Sequence, residues 1–383
     1  MKKVVVAMDS MKGCLDSLSA SKALAAGIKE AFDSVETVCV PVADGGEGTS
    51  EALAYGNGNF RKITSRVIGP IGRNIDAEWH IDENAGVAFI DMASAAGLAL
   101  IPEENRNPLY TTTYGVGQLI IEAVDKGAKK VLLGLGGSAT VDAGLGACQA
   151  MGLLIKDKAG EVMPVPFVGK MLPDVGGVEI SGFLGSRSSF ELSLLCDVNA
   201  PFTGHDGAAR VFGPQKGASK NDVDLLESGM ENVRKLIADN TGIDLKDRAG
   251  SGAAGGTAGG LLAFGGGLIE SGAPLLLDAI GFDEIIKDAD LIITGEGSSD
   301  RQTLMGKIPY EILRHGKKRN IPVWLVAGRI ADEEALHDAG FGRIICVNSP
   351  EIVDRSNTVG EDPMDPKIAI DRLCAIFKAD SLT

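Results

Sequence analysis

The stretch VLLGLGGSATVDAGLGACQAMG, residues 131–152, contains three local patterns in close succession. An apolar run ends in paired glycines, Ser138 and Thr140 follow, and an aspartate precedes a segment of Ala, Gly and Leu with helical character. This order predicts a buried strand, a loop and a helix, which is the repeating unit of α/β proteins. Glycines at a strand end let the backbone approach an anion closely. The stretch nevertheless matches neither the G-x-x-x-x-G-K-[ST] loop nor the dinucleotide fingerprint.

Both ends of the chain repeat this alternation of strand and helix. KKVVVAMDS predicts a buried strand, and the helical pattern that follows places Leu24, Ile28 and Phe32 on one face. Near the other end, ADLIITGEGSSD and IPVWLVAGRI are each followed by a helical pattern. Alternating strands and helices indicate parallel βαβ units, whose ligands bind at the carboxyl ends of the strands.

The middle of the chain has a different pattern. DAEWHID and GVAFIDMA suggest antiparallel pairing, whereas the segment ending in VLLGLGG is helix followed by strand. A chain of 383 residues usually forms two domains. We therefore expect two α/β domains: one formed by residues 1–65 and 285–383, and one inserted between them over residues 66–284.

Composition excludes several classes of protein. A net charge of -15 leaves no surplus of Lys and Arg to neutralise nucleic-acid phosphates or an anionic membrane surface. The six cysteines lie singly, without a C-x-x-C pair, so reduced thiols are expected and a disulfide framework is the lesser alternative. No uninterrupted run of about 18 apolar residues occurs, and the N-terminal apolar run is too short for a signal peptide. We expect a cytoplasmic protein.

Four loops that follow predicted strands share one composition: glycine with a carboxylate and a hydroxyl. They are MDSMKG, VADGGEGTSEA, GLGGSATVDAG and ITGEGSSDRQT. Glycine loops point backbone N–H groups at an anion, and carboxylates hold Mg²⁺, which bridges to phosphate oxygens. Taken singly, each loop could be a surface turn, and Lys12 could be a solvated lysine. Their recurrence at strand ends favours a site for a metal-bound nucleotide, with Asp44 and Glu47 as functional residues.

Other motifs are less informative. A formal G-x-G-x-x-G occurs at Gly250, Gly252 and Gly255, but the charged segment before it is a poor strand, so a packing segment is the better interpretation. The loops of P-loop enzymes and of protein kinases are both missing from the sequence. The histidines are scattered without the spacing of metal ligands, so a structural or surface role is expected.

Seven segments, in this order, resemble the bacterial glycerate kinase family, the type found with glycerate and sugar-diacid catabolism. They are DSMKGCLDSLSA, PVADGGEGT, MASAAGLALIPEENRNPLYTTTYGVGQLI, GLGGSATVDAGLGACQAMG, CDVNAPFTGHDGAARVFGPQKGA, GSGAAGGTAGGL and ITGEGSSDRQTLMGKIP. The resemblance implies ATP-dependent phosphorylation of D-glycerate, with 2-phosphoglycerate as the usual product. It also implies a Rossmann-like and a flavodoxin-like domain with the active site in the cleft between them.

The chain departs from the family pattern at three positions. Met8 and Met11 stand where the family commonly has Pro and Phe, and we expect these changes to affect packing only. Ser298 replaces the usual Arg in GEGSSD. If that Arg contacts phosphate in relatives, this chain either lacks the cation or supplies it elsewhere, with Arg301 as the candidate.

The assignment of roles combines the resemblance with residue type and position. Phosphoryl transfer needs positioning, charge neutralisation and an oriented alcohol. The nucleotide phosphates are assigned to Gly136, Gly137, Ser138, Thr140, Gly255 and Gly256. Mg²⁺ is assigned to Glu296 and Asp300, and the substrate to Asp9, Ser10, Asp44, Gly45, Gly46, Glu47 and Lys307. The catalytic candidates are Lys12 and Asp300 with Asp197, which is positioned to take the hydroxyl proton.

The sequence thus predicts a glycerate kinase that uses ATP and Mg²⁺. Formation of 3-phosphoglycerate is the first alternative. A non-catalytic sensor of organic acids on the same fold is the second, and a nicotinamide-dependent oxidoreductase is weaker still. The expected partners are small molecules, D-glycerate and ATP, with neither nucleic acid nor membrane, and a homodimer remains open.

Overall fold

The computed structural model describes residues 2–46, 48–55, 58–180, 190–196 and 198–377. The chain divides into two compact units. The terminal unit comprises Met1–Asp44, Glu51–Gly58 and Ser271–Thr383, and the inserted unit comprises Gly45–Ser50 and Asn59–Glu270. None of the helices in the described ranges is both long enough and apolar enough to cross a membrane.

The secondary structure alternates strands and helices along much of the chain. The strands are β1 (Lys3–Met8), β2 (Glu36–Cys39), β3 (Arg61–Ile68), β4 (Asn74–Asp82), β5 (Val87–Asp91), β6 (Lys130–Gly134), β7 (Leu154–Asp157), β8 (Val175–Glu179), β9 (Glu191–Leu195), β10 (Leu268–Glu270), β11 (Leu291–Ser299), β12 (Val323–Ile330) and β13 (Arg343–Cys346). The helices are α1 (Ser17–Ala31), α2 (Thr49–Tyr55), α3 (Ala93–Ala96), α4 (Tyr114–Asp125), α5 (Leu145–Ala150), α6 (Ala208–Phe212), α7 (Lys220–Thr241), α8 (Ala253–Gly265), α9 (Gly272–Ala279), α10 (Phe282–Ile285), α11 (Ile308–Arg319), α12 (Glu333–Asp338), α13 (Pro350–Arg355) and α14 (Pro366–Ala375).

The terminal unit contains a five-stranded parallel sheet in the order β13-β12-β11-β1-β2. β1 reads KVVVAM and is buried over almost its whole length, as expected of a strand covered on both faces of a parallel sheet. Helix α1 begins after Asp16, whose carboxylate accepts a hydrogen bond from the Ser19 N–H and so caps the helix. Leu24 and Ile28 on the buried face of α1 pack in the core with Val4 and Val6 of β1.

The inserted unit contains a six-stranded mixed sheet in the order β10-β9-β6-β5-β4-β3. The pairs β3–β4 and β4–β5 are antiparallel, and β5, β6, β9 and β10 are parallel. The antiparallel pairing predicted for DAEWHID and GVAFIDMA is confirmed by the register that places His80 opposite Phe89. Trp79 is fully buried, and its indole N–H donates to the Ser65 hydroxyl at 2.9 Å, which satisfies the polar atom of this core residue.

The predicted α/β class is confirmed, but the predicted domain boundaries differ from the observed units. A boundary after residue 65 would cut β3, which pairs with β4 along its whole length. The other boundary, at 284/285, would separate Asp283 from its unit, because Asp283 accepts a hydrogen bond from the ring of His315 in α11 at 2.7 Å. Local patterns mark strands and turns, whereas a unit boundary depends on which long-range contacts a segment makes.

Candidate functional site

Acidic residues gather at the carboxyl ends of the strands in the terminal unit. Asp9 directly follows β1, and Glu296 lies in the last part of the neighbouring strand β11. The register pairs Met8 with Gly295, and the Asp9 N–H donates to the Gly295 carbonyl at 2.8 Å. Asp44 contributes to the same electrostatic environment. We call Asp9, Asp44 and Glu296 the acidic cluster.

The pKa of Asp9, within the acidic cluster, is raised to about 7. The largest cause is burial, which disfavours the charged carboxylate, and the negative charges of Asp44 and Glu296 add to it. The Ser10 N–H, which donates to Asp9 Oδ1 at 2.7 Å, and the Lys12 ammonium act in the opposite direction. A bound cation would stabilise the ionised form of this cluster.

Glu296 is held by three donors of its own unit. Its Oε1 accepts hydrogen bonds from the hydroxyls of Ser299 at 3.1 Å and Thr303 at 2.6 Å. Its Oε2 lies 3.4 Å from the Lys307 ammonium, and the side chain is only 8% exposed. Glu296, assigned to Mg²⁺, and Lys307, assigned to the substrate, therefore lie in contact, and the protein itself satisfies both carboxylate oxygens.

Asp300 shapes the loop that follows β11. Its Oδ1 accepts from the Gln302 N–H at 2.7 Å, and its own N–H donates to the Thr303 hydroxyl at 3.1 Å. Thr303 thus links Asp300 to Glu296. No group of three Asp, Glu, His or Cys side chains in the described ranges could hold a metal ion by itself. Mg²⁺ in kinases commonly needs only one or two carboxylates besides phosphate oxygens, so the acidic cluster still fits this ion.

The cations around β11 include one that sequence analysis did not name. Lys12 is exposed. The backbone of its turn lies beside the end of β11, since a Cβ on Gly297 would be 3.7 Å from the backbone nitrogen of Lys12. Arg301, the candidate replacement for the missing family arginine, is mostly exposed and lies 3.7 Å from Asp332. Opposite Ser298 in the register of β11 and β12 stands Arg329 instead. Sequence analysis missed Arg329 because strand register is a tertiary property.

Residues 135–140 of the opening stretch follow the carboxyl end of β6. We call this segment the glycine loop. Gly137 has φ +65°, and its carbonyl accepts from the Leu98 N–H at 2.8 Å. The Ala139 N–H donates to the Ala96 carbonyl at 2.8 Å, so residues 96–98 hold the loop from one side. Among the described residues, the N–H groups of Gly136, Gly137 and Ser138 have no acceptor. These donors suit an anion.

The ADGGEGT segment contributes to the same region of the inserted unit. A Cβ on Gly134 would lie 2.3 Å from the Gly45 carbonyl oxygen, and a Cβ on Gly136 would lie 3.2 Å from the Gly46 Cα. Such close approach of two backbones requires glycine. Two glycines assigned to substrate and one assigned to phosphate are therefore neighbours, although the sequence placed them in separate domains.

Gly255 and Gly256 lie behind the glycine loop. Both are buried, and a Cβ on Gly255 would lie 1.9 Å from the Thr140 carbonyl oxygen. The Ala143 N–H donates to the Gly255 carbonyl at 3.1 Å. Packing against residues 140–143 is thus their observed role, and their contact with phosphate stays a prediction. The G-x-G-x-x-G that contains Gly255 follows residues 242–249, which form no strand, so the dinucleotide interpretation is not supported.

Two buried charges beneath the loop were not assigned from the sequence. The Lys216 ammonium donates to the Ser138 hydroxyl oxygen at 2.7 Å and to the Thr140 carbonyl at 2.8 Å. Burial lowers the pKa of Lys216 to about 7, and the negative charge of Asp142 partly opposes this. Asp142 accepts from the N–H and the hydroxyl of Thr113, both at 2.8 Å. The sequence hint was a lysine inside an otherwise uncharged turn, FGPQKGA.

Two predicted site residues, Glu47 and Asp197, lie outside the described residues. Their assignments to substrate binding and to proton transfer stay predictions.

Comparison with known proteins decides the family. A sequence model of the glycerate kinase family matches residues 4–361. The glycerate 2-kinase of Escherichia coli (strain K12) is 38% identical over 346 residues, 90% of each chain. The glycerate kinase of Bacillus cereus (strain ATCC 10987 / NRS 248) is 34% identical over 381 residues, 99% of each chain. The chain belongs to the glycerate kinase family.

A solved structure supports the family assignment. A crystal structure from Salmonella typhimurium LT2, described as a glycerate kinase 2, superposes with a TM-score of 0.79 at 35% sequence identity. The similarity covers 99% of this chain and 98% of the other. The resemblance inferred from the ordered motifs is thereby confirmed, and so is the expectation that this member of the glycerate kinase family is an enzyme of the kinase class.

Proposed function

We propose that the protein transfers the γ-phosphoryl group of ATP to D-glycerate and forms 2-phosphoglycerate. Family membership supports the substrate class, and the similarity to the Escherichia coli glycerate 2-kinase supports the choice of product. The structural observation that carries the proposal is the glycine loop, where three neighbouring N–H groups lack an acceptor in the described part of the chain. Such an arrangement suits the phosphates of a nucleotide without a P-loop.

In this proposal the glycine loop binds the phosphates through Gly136, Gly137 and Ser138. Gly136 is half-buried and Gly137 is exposed, so a ligand can reach the backbone of the loop. Hydrogen bonds from fixed N–H groups need no reorganisation as charge shifts during phosphoryl transfer, which makes them effective in stabilising the transition state. Thr140, at the end of the loop, is fully buried, and its carbonyl accepts a hydrogen bond from Lys216.

The acidic cluster supplies the carboxylates for Mg²⁺. Asp9 is the best placed, because only its Oδ1 accepts a hydrogen bond from a described residue. Glu296 is already satisfied by Ser299, Thr303 and Lys307, so we assign it to holding the cluster together. When bound, Mg²⁺ would neutralise charge on the phosphates. Asp300 contributes by fixing the loop that carries Thr303, and direct ligation by Asp300 remains part of the proposal to be tested.

The remaining roles follow from charge and exposure. Lys12 is exposed and close enough to Asp9 to influence its pKa, so it is available to the glycerate carboxylate or to the transferred phosphoryl group. Lys307 is 39% exposed and contacts Glu296, and we assign it the same two alternatives. Asp197 is proposed to accept the proton of the glycerate hydroxyl, a group of the type that assists phosphoryl transfer by orienting the alcohol.

The deciding experiment uses the purified protein with ATP, Mg²⁺ and D-glycerate. Release of ADP that depends on glycerate establishes phosphoryl transfer to it, and ³¹P NMR of the product identifies the phosphorylated hydroxyl. Enolase provides an independent check, because it consumes 2-phosphoglycerate directly. A product that enolase does not consume would support the 3-phosphoglycerate alternative. Binding of glycerate without ADP release under all nucleotide conditions would instead favour a non-catalytic sensor.

A further inference from the structure

Lys216 is a buried cation in a rigid backbone setting. It ends a short 3₁₀ turn, Pro214–Lys216, in which the Lys216 N–H donates to the Gly213 carbonyl at 3.0 Å. The next residue, Gly217, has φ +92°, and a Cβ there would lie 2.1 Å from the Arg106 carbonyl oxygen. The side chain is 3% exposed, with the ammonium 5.9 Å from the centre of the Phe212 ring. The fold therefore fixes where the ammonium lies.

The contact between Lys216 and Ser138 determines what the Ser138 hydroxyl can do. The protonated Lys216 side chain has only donors, so in this form the Ser138 oxygen is the acceptor of the 2.7 Å contact. The Ser138 proton is then available to a different acceptor. No described residue accepts it, and Ser138 itself is 9% exposed, next to the half-buried Gly136 and the exposed Gly137 of the loop. The ammonium thus makes Ser138 an outward donor.

A purely structural explanation does not account for the charge. The Thr140 carbonyl needs one donor, and a neutral amide or hydroxyl would provide it without the cost of burying a charge. Asp142 is fully buried nearby and compensates part of that cost, but its own oxygens are taken by Thr113 and Gly144. Lys216, which is a cation when protonated, therefore lies next to the loop whose N–H groups at Gly136, Gly137 and Ser138 have no acceptor among the described residues.

We propose that Lys216 is a positioning residue for the phosphate donor, which holds the glycine loop and turns the Ser138 hydroxyl outward as a hydrogen-bond donor to the nucleotide phosphates. This inference rests on the proposed kinase function. It adds to that function a residue that orients the phosphate-binding loop. It also predicts that Lys216 affects nucleotide binding through Ser138 and not independently of it.

The test is a double-mutant cycle on the full chain. Lys216→Met, Ser138→Ala and the double variant are compared for ATP binding by calorimetric titration and for steady-state kinetics. Loss of a charge-assisted hydrogen bond should weaken ATP binding by ~10-fold to ~100-fold in each single variant. The double variant should be no weaker than the worse single variant. The KM for glycerate should change less than about 3-fold, because Lys216 and Ser138 are assigned to the phosphate donor and not to glycerate.

Two controls separate this role from a loss of stability or of charge. Val233→Ala removes buried volume from α7 of the same unit, and Lys235→Met removes an exposed positive charge from the same helix. Both should bind ATP with wild-type affinity. Ser138→Thr keeps a hydroxyl and should retain most of the binding, which provides a decisive comparison with Ser138→Ala if Lys216→Met fails to fold.

The results of the cycle and of the wild-type assays test the role of Lys216 and the proposed kinase function separately. Additive losses in the cycle, or normal ATP binding by Ser138→Ala, would overturn the proposed role of Lys216. A wild-type protein that binds ATP but does not phosphorylate glycerate would contradict the proposed substrate while leaving the binding cycle fully interpretable. A wild-type protein that binds no nucleotide would contradict both.

Discussion

The two units place opposite charges next to their strand-end loops. In the terminal unit, burial and the neighbouring Asp44 and Glu296 raise the pKa of Asp9 to about 7. In the inserted unit, burial lowers the pKa of Lys216 to about 7. The first region is a cluster of carboxylates, and the second combines a buried lysine with N–H groups that have no acceptor among the described residues. The comparison teaches that burial shifts the protonation of an acid and of a base in opposite directions, which leaves each unit with a different chemical group beside its strand-end loops.

The largest expected effect tests the acidic side of this comparison. Asp9→Asn should lower kcat by ~100-fold or more and raise the Mg²⁺ concentration for half-maximal activity, since it removes a metal-ligand charge. Steady-state assays across a Mg²⁺ titration measure both quantities. Asp16→Asn, at the exposed cap of α1, is the control for a nearby aspartate and should keep the wild-type Mg²⁺ dependence.

If Asp9→Asn and Lys216→Met shifted the Mg²⁺ requirement equally, the division of roles between the two units would be wrong. A folded Asp9→Asn protein with normal turnover would remove Asp9 from the metal site altogether.

The next effect concerns Lys12. If its ammonium binds the glycerate carboxylate in ground and transition states alike, Lys12→Ala should raise the KM for glycerate by ~10-fold with little change in kcat. If it follows the transferred phosphoryl group, kcat should fall instead. Steady-state kinetics with glycerate as the varied substrate distinguish these two roles of Lys12. Wild-type values for both constants would show that Lys12 is an ordinary solvated lysine.

A pH dependence of stability tests the buried cation. Lys216 has a pKa of about 7 in the folded protein against an ordinary value of 10.5, so between these pH values the unfolded chain binds more protons. The free energy of unfolding should therefore rise with pH in this window, by at most about 1.4 kcal/mol per pH unit for one proton. Below pH 7 both states are protonated, and the dependence should disappear.

The measurement is denaturant unfolding at several pH values between 6 and 9 for the wild type and Lys216→Met. The wild type should gain stability relative to the variant as the pH rises above 7. Lys235→Met, which removes an exposed lysine, should follow the wild type at every pH. A pH-independent difference between wild type and Lys216→Met would mean that Lys216 stays charged in the folded protein throughout this pH range.

The smallest expected effect distinguishes two arginines of the terminal unit. Arg329→Ala should lower kcat/KM by about 5-fold, because Arg329 stands beside Ser298, where the family commonly has a cation. Arg301→Ala should stay within about 2-fold, because exposed ion pairs such as Arg301 with Asp332 contribute little. The same kinetic assay serves both variants. A larger loss of kcat/KM in Arg301→Ala than in Arg329→Ala would instead indicate Arg301 as the replacement cation.

Local patterns were enough to predict much of the terminal unit. The apolar run of β1 predicts a buried parallel strand, and a polar residue directly after such a strand must lie at the carboxyl edge of the sheet. Asp9 and the glycine loop could therefore be found from the sequence. The boundaries between the units could not be found in this way. The local sequence at the end of β3, at Ile68, would be the same whichever unit contained the strand with which β3 pairs.

The sequence by itself determined the α/β class, the strand-end loops and the chemical types of their residues, since these follow from hydrophobic periodicity and from the conformations that glycine allows. Only the tertiary structure decided that Lys216 reaches Ser138, 78 positions away along the chain, and that Arg329 stands opposite Ser298. It also showed that Gly45 packs against Gly134. Contacts of this kind depend on strand order and backbone approach, which no local pattern encodes, and burial then sets the pKa of each charge.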